Sequence, residues 1–168
     1  MTEKVRILGL DPGLNRTGFG VIESRGNRLS YIAHGVIKTQ NDRELAFRLH
    51  EIFQKLSDVI EEYKPDEAAV EETFVNVNPS STLKLGMARG VVLMTPSHYG
   101  LVVGEYSANR VKKAVVGVGH AEKQQVAMMV QRLLPAAGNV IADAADALAV
   151  AICHAHFRGV NNLMSKSA

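Results

Sequence analysis

Four carboxylates in this chain stand where apolar sequence ends or begins: Asp11 after Ile7-Leu8-Gly9-Leu10, Glu71 after Ala68-Ala69-Val70, and Asp143 with Asp146 at the head of IADAADALAVAIC. A carboxylate beside a core is costly unless it is paired or hydrogen-bonded. Read singly, each has an ordinary explanation. Asp11 precedes Pro12-Gly13 and suits a turn. Glu71 can be one of two solvated acids with Glu72, and Asp143 can cap a helix with Asp146 in its first turn. Read jointly, they point to one site. Asp143 and Asp146 are three apart, so on a helix they share a face, near the N-terminus where the dipole favours negative charge. If the first and fourth strands are neighbours and the last helix packs across their ends, the four acids converge. Carboxylates in one cleft repel and raise each other's pKa, which divalent cations relieve. Oxygen-only donors suit Mg²⁺ or Mn²⁺. Two such ions, about 4 Å apart, would clamp the attacking and leaving oxygens of a phosphodiester.

The elements that must position these acids follow from hydrophobic period and turn chemistry. Val5 to Leu10 reads as a strand. Gly18 to Ile22 and Leu29 to Ile37 are strand-like, and Ser24-Arg25-Gly26-Asn27 between them is a hairpin signal. Leu45, Leu49, Ile52, Phe53, Leu56, Val59, Ile60 and Tyr63 recur at helical spacing over 42–63, with Asp42 as the expected N-cap and Lys64-Pro65 as the stop. A strand at 67–70, a loop at 73–82, a helix from about Thr82 to Met94 and a strand at 101–103 follow. Pro96 predicts that this helix ends or kinks near Thr95. Helices at 107–116 and 121–134 are separated by Gly117-Val118-Gly119, and a last helix spans about 142–157. The order implies an α/β fold: a mixed five-stranded sheet flanked by helices. Residues 1–157 read as a single domain and 158–168, which lack periodicity, as a flexible tail.

Composition limits the function classes. At 168 residues, 46% hydrophobic and 21% charged, the chain is an ordinary globular one. No apolar run reaches membrane-spanning length, no signal-peptide hydrophobic region opens the chain, and Cys153 is alone, so a cytoplasmic setting is expected. Net charge is only +2, but 107–123 carries Arg110, Lys112, Lys113 and Lys123 against Glu122, a local +3 compatible with a phosphate track. On its own, such a stretch is more often a solvated face.

ILGLDPGLNRTGFGVI, AAVEETF, LKLGMARG, VKKAVVGVGHAEKQQV and ADAADALAVAICH, taken in order from Ile7 to His156, resemble the RuvC family of crossover-junction (Holliday-junction) endonucleases. The resemblance implies a ribonuclease-H-like fold and a homodimer. It implies a Mg²⁺-dependent cut of two strands of like polarity across a four-way DNA junction, in recombination and repair. It also implies a branch-migration motor, RuvA with RuvB, as partner. By it, Asp11, Glu71, Asp143 and Asp146 are the catalytic metal ligands. Asp11 bridges both ions, and Lys123 or Lys112 offsets charge on the scissile phosphate. Lys112 and Lys123 contact DNA, Lys113 less so, and Phe74 engages bases near the junction centre, where the residues alone favour a core plug. The sequence departs from the family's alanine-rich second helix at LMTPSHYGLVV.

Gly86 and Gly90 form a small-xxx-small pair expected at a dimer interface. Cys153, His154 and His156 lack a second group with zinc spacing and read as a buried cysteine with surface histidines. Three rivals stay open: an actin-like ATPase or sugar kinase, whose phosphate hairpin also carries GLDPG; another ribonuclease-H-like nuclease, for example one for RNA–DNA hybrids; and a non-catalytic junction-binding protein.

Overall fold

The computed structural model describes the backbone of residues 3–72 and 78–166, and side chains through Arg158. Five strands form one sheet in the order β3-β2-β1-β4-β5: β1 (Lys4–Asp11), β2 (Arg16–Arg25), β3 (Arg28–Lys38), β4 (Glu67–Glu71) and β5 (Val102–Tyr106). β1, β2 and β3 run antiparallel, while β1, β4 and β5 are mutually parallel, so the sheet is mixed as expected. Because β1 is central it is covered on both faces, and alternate side chains enter two different cores. Val5 and Ile7 join one apolar cluster with Leu148 and Ile152; Leu8 and Leu10 join the other with Ile52, Leu56 and Val92.

α1 (Leu45–Tyr63) and α2 (Pro79–His98) supply the Leu8/Leu10 side; α3 (Ala108–Val116), α4 (Lys123–Leu133) and α5 (Ala142–Lys166) supply the Ile7 side. α1 ends as the sequence implies, with Lys64 in the left-handed conformation (φ 47°) donating its N–H to the Ile60 carbonyl. Its start does not: the N-cap is Glu44, without a side-chain bond, and Asp42 lies in the preceding turn. α2 begins at Pro79, not Thr82. Asn78 caps it by accepting from the Ser80 and Ser81 N–H groups (3.0 and 3.4 Å), and Pro79 fits the first turn because its missing donor is an orphan there.

Pro96 does not end α2, which continues to His98. It removes only the bond that an N–H at this position would make to the Val92 carbonyl, and the helix carries on for two more residues. The stop comes from Gly100 (φ 79°), after which Leu101 donates its N–H back to the Pro96 carbonyl at 3.0 Å. α5 likewise outruns the sequence reading: its backbone stays helical to Lys166, not Phe157. The segment holds no proline, and one glycine, Gly159, is a modest cost in a helix.

α5 lies almost on the backbone of the sheet. A Cβ placed on Gly9 would collide with the Ala147 carbonyl and the Ala151 N–H; one on Gly18 would collide with the Asp143 carbonyl. Gly9 of β1 and Gly18 of β2 thus permit the approach that brings the head of α5 to the end of β1. Gly9→Val is expected to cost more than about 3 kcal/mol, lowering the thermal midpoint by about 10 °C in calorimetry; a midpoint matching the parent protein would show that α5 does not need this approach.

Candidate active site

β1 and β4 pair in parallel with Leu10 opposite Val70, so Asp11 and Glu71 stand side by side one step further on. Period-2 alternation puts both on the Ile7 and Ala69 face, the face that α5 covers. The turn after Asp11 is held by Thr17, whose hydroxyl donates to the Gly13 carbonyl at 2.8 Å. Arg48 of α1 reaches across to the Asn15 side chain. Asp143 lies in the first turn of α5 and Asp146 one turn on. The four acids line one open cleft of about 350 Å³, together with Lys112 of α3, Lys123 of α4 and Glu72. Ala108, Val111, Val126 and Ala149 form its apolar wall.

The electrostatics of this cleft are lopsided. Burial pushes the Asp11 carboxyl up to about 7, reinforced by Glu71, Asp146 and Asp143 and opposed by Lys123. Glu71 is also pushed up to about 7, by burial and Asp146, against Lys123 and Lys112. Burial raises Asp146 too, with Asp143 adding and Lys123 and Lys112 subtracting. Glu67, four residues before Glu71 on the same strand and face, behaves oppositely. Despite burial, hydrogen bonds from Arg158 Nε (2.8 Å) and His154 Nε2 (2.6 Å) hold its carboxyl below the usual range. One half-buried acid on β4 is paired with cationic partners and, among the described residues, the other is not.

The donor set fits a hard divalent cation: the described residues of the cleft offer carboxylate oxygens and neither sulfur nor imidazole. Among the described residues, no three His, Cys, Asp or Glu side chains are already arranged as a metal cage.

Of the residues singled out from the sequence, Asp11, Glu71, Asp143, Asp146, Lys112 and Lys123 come together. Lys113 is exposed on α3 and does not line the cleft. Phe74 lies outside the described residues. Gly117 (φ 96°) closes α3 in the left-handed conformation and forms the bend between Lys112 and Lys123. Two participants were not anticipated. Glu72 lines the cleft, and Arg16 Nε donates to Asp143 Oδ2 at 2.8 Å. Arg16 precedes Gly18 by two residues on an alternating strand, a signal that places both on the α5 face once Gly18 is known to lie there. The expected surface histidines are corrected in part. His156 is exposed, but His154 is buried between Glu67 and the Tyr106 hydroxyl, which lies 2.8 Å from Nδ1.

A mixed five-stranded sheet with acids at the ends of two adjacent parallel strands, crossed by a helix carrying two more, is the ribonuclease-H-like arrangement. The yeast mitochondrial Holliday junction resolvase shares the fold, with a TM-score of 0.68 at 13% identity over 98% of this chain and 85% of that one. The chain belongs to the RuvC family: the model described as crossover junction endodeoxyribonuclease RuvC matches residues 7–154. A RuvC of Rhizobium rhizogenes is 55% identical over 163 residues, covering 97% of this chain and 96% of the relative. The structure of Thermus thermophilus RuvC in complex with a Holliday junction substrate matches with a TM-score of 0.87 at 31% identity, over 94% and 96% of the two chains.

The raised carboxyls set a pH dependence for the metal-free protein. Folded Asp11, at about 7, holds its proton more tightly than an unfolded carboxyl near 3.8. Its contribution is therefore fully present below about pH 4 and is lost as pH rises to about 7. In chelator, Asp11→Asn is expected to melt above the parent at about pH 8 and with it at about pH 4; a pH-independent difference between the two melting curves would contradict this electrostatic picture.

Proposed function

We propose that this protein is a structure-selective endonuclease that resolves four-way DNA junctions by symmetric, Mg²⁺-dependent hydrolysis of two strands, acting in the cytoplasm during recombination and repair. The observation that carries the reading is the meeting of Asp11, Glu71, Asp143 and Asp146 in one cleft rimmed by Lys112 and Lys123, in a chain of this family. The four acids would hold two Mg²⁺ ions, with Mn²⁺ able to substitute. Such ions polarise a phosphoryl oxygen and acidify a bound water. Asp11, on the central strand and beside Glu71, would contribute to holding both ions. Lys123 and Lys112, which already offset the acids' charge, would face the scissile phosphate and stabilise charge that builds there. Lys113 would also contact the DNA, and Phe74 would engage bases near the junction centre. The nuclease is a single domain in this reading.

A junction with twofold symmetry calls for two cleavage sites in twofold register, hence a homodimer. α2 supports this because it is apolar on two sides. Ala88 and Val92 face the core, while Leu83, Met87 and Met94 are large and exposed. These three, with Gly90, recur at 83, 87, 90 and 94, one stripe of the helix, and nothing lies within 4 Å of a Cβ built on Gly86 or Gly90. A second copy of α2 would cover that stripe. A branch-migration motor of RuvA and RuvB would deliver the junction. Among the described residues no helix is long and apolar enough to cross a membrane.

The rival reading is a non-catalytic junction-binding protein. A synthetic immobile junction separates the readings. With Mg²⁺ the parent protein is expected to nick two opposed strands at symmetric positions. Asp143→Asn should cut more than about 100-fold more slowly while binding the junction as before. Cleavage by Asp143→Asn at the parent rate would end the metal-site reading, and no nicking by the parent would favour the binding protein. For the dimer, Gly90→Leu should leave the fold intact and move sedimentation to the monomer mass; an unchanged dimer would place the interface elsewhere.

A further inference from the structure

We infer that Arg16 is a positioning residue for the cation site: it grips one oxygen of Asp143 from outside the cleft and so presents the other oxygen inward. The inference rests on the metal-site reading above and adds a residue to it. Arg16 donates from Nε to Asp143 Oδ2 at 2.8 Å. The contact uses one edge of the guanidinium and one carboxylate oxygen. Among the described residues, Asp143 Oδ1 has no hydrogen-bond partner, and neither do the two terminal nitrogens of Arg16. A two-pronged fork would occupy both oxygens and withhold the carboxylate from a cation. This single bond leaves one oxygen available.

The placement agrees. Asp143 lines the cleft and Arg16 does not, so the guanidinium meets the acid from beyond the residues that line the cleft. β2 holds the head of α5 at two points on one face: Gly18 lets the Asp143 carbonyl approach the strand, and Arg16, two residues earlier, fixes its side chain. The pair itself contributes little to folding, since both side chains are well exposed, 46% for Arg16 and 36% for Asp143. Its consequence is geometric. Of the four acids, Asp143 sits on a helix end and not on a strand, where one side-chain torsion can swing the carboxylate out to solvent. A hydrogen bond to a ligating carboxylate commonly sets metal affinity in this way.

The test titrates Mn²⁺ alone into the DNA-free protein by calorimetry, comparing the parent with Arg16→Ala, Arg16→Lys and Asp143→Asn. Arg16→Ala is expected to weaken Mn²⁺ binding about 10-fold, with Arg16→Lys recovering most of the loss and all three variants melting close to the parent. In junction cleavage the Mg²⁺ concentration for half-maximal rate should rise by the same factor for Arg16→Ala, while the rate at saturating Mg²⁺ returns to near the parent value. Unchanged or tighter Mn²⁺ binding by Arg16→Ala, with Asp143→Asn weakened, would overturn the inference and leave the metal site standing. Loss of junction binding by Arg16→Ala in chelator would also overturn it, by making Arg16 a DNA contact. Asp143→Asn binding Mn²⁺ as the parent does would overturn the metal-site reading itself.

Discussion

The distance between one helix and the sheet beneath it governs this molecule. α5 carries two of the four cleft acids, and they reach Asp11 only because α5 rests against the backbones of β1 and β2. Helix and sheet normally keep their separation through the side chains between them. Here Gly9 and Gly18 withdraw those side chains at the contact, and the helix answers with Ala147 and Ala151. The adjacent positions restore ordinary packing: Ile7 and Ile22 fill the same core with Leu148 and Ile152. The close approach is thus local, and it falls under the first turns of the helix, where a displacement would matter most to the carboxylates. The grip of Arg16 on Asp143 extends the same contact from backbone to side chain.

What the approach creates is a set of charges that the protein compensates only in part. β4 shows both solutions on one face. Glu67 enters the interior with Arg158 and His154 as partners, and its carboxyl is held below its ordinary range. Glu71 enters with Asp11 and Asp146 as neighbours, and its carboxyl is raised to about 7. The cations present, Lys112 and Lys123, lower these values without reversing the sign. The same strand thus carries one acid that the fold pairs and one that it leaves among other acids.

Most of this was legible before any coordinates. The strands, the mixed sheet and the convergence of Asp11, Glu71, Asp143 and Asp146 follow from acids placed at the ends of apolar runs, because such runs must enter a core and their ends must meet its rim. The misreadings have local physical causes. Asn78-Pro79 is a strong helix start, but it lies in a polar stretch that reads as loop until the Asn78 side chain is seen bonded to Ser80 and Ser81. Pro96 looks like a stop because the rule for proline concerns helix interiors, and only the position of Gly100 shows that it sits in the last turn. His154 could not be read as buried, since its partners Glu67 and Tyr106 are 87 and 48 residues away. Arg16 was invisible for the same reason: its partner is 127 residues away.

That long reach has a consequence for the order in which the protein is made. Asp11 and Glu71 belong to the first half of the chain and pair as soon as β4 can add to β1, but the helix that completes the cleft begins at Ala142. A chain that stops short of that helix holds two of the four acids and no assembled cleft, so the pocket draws on both halves of the polypeptide.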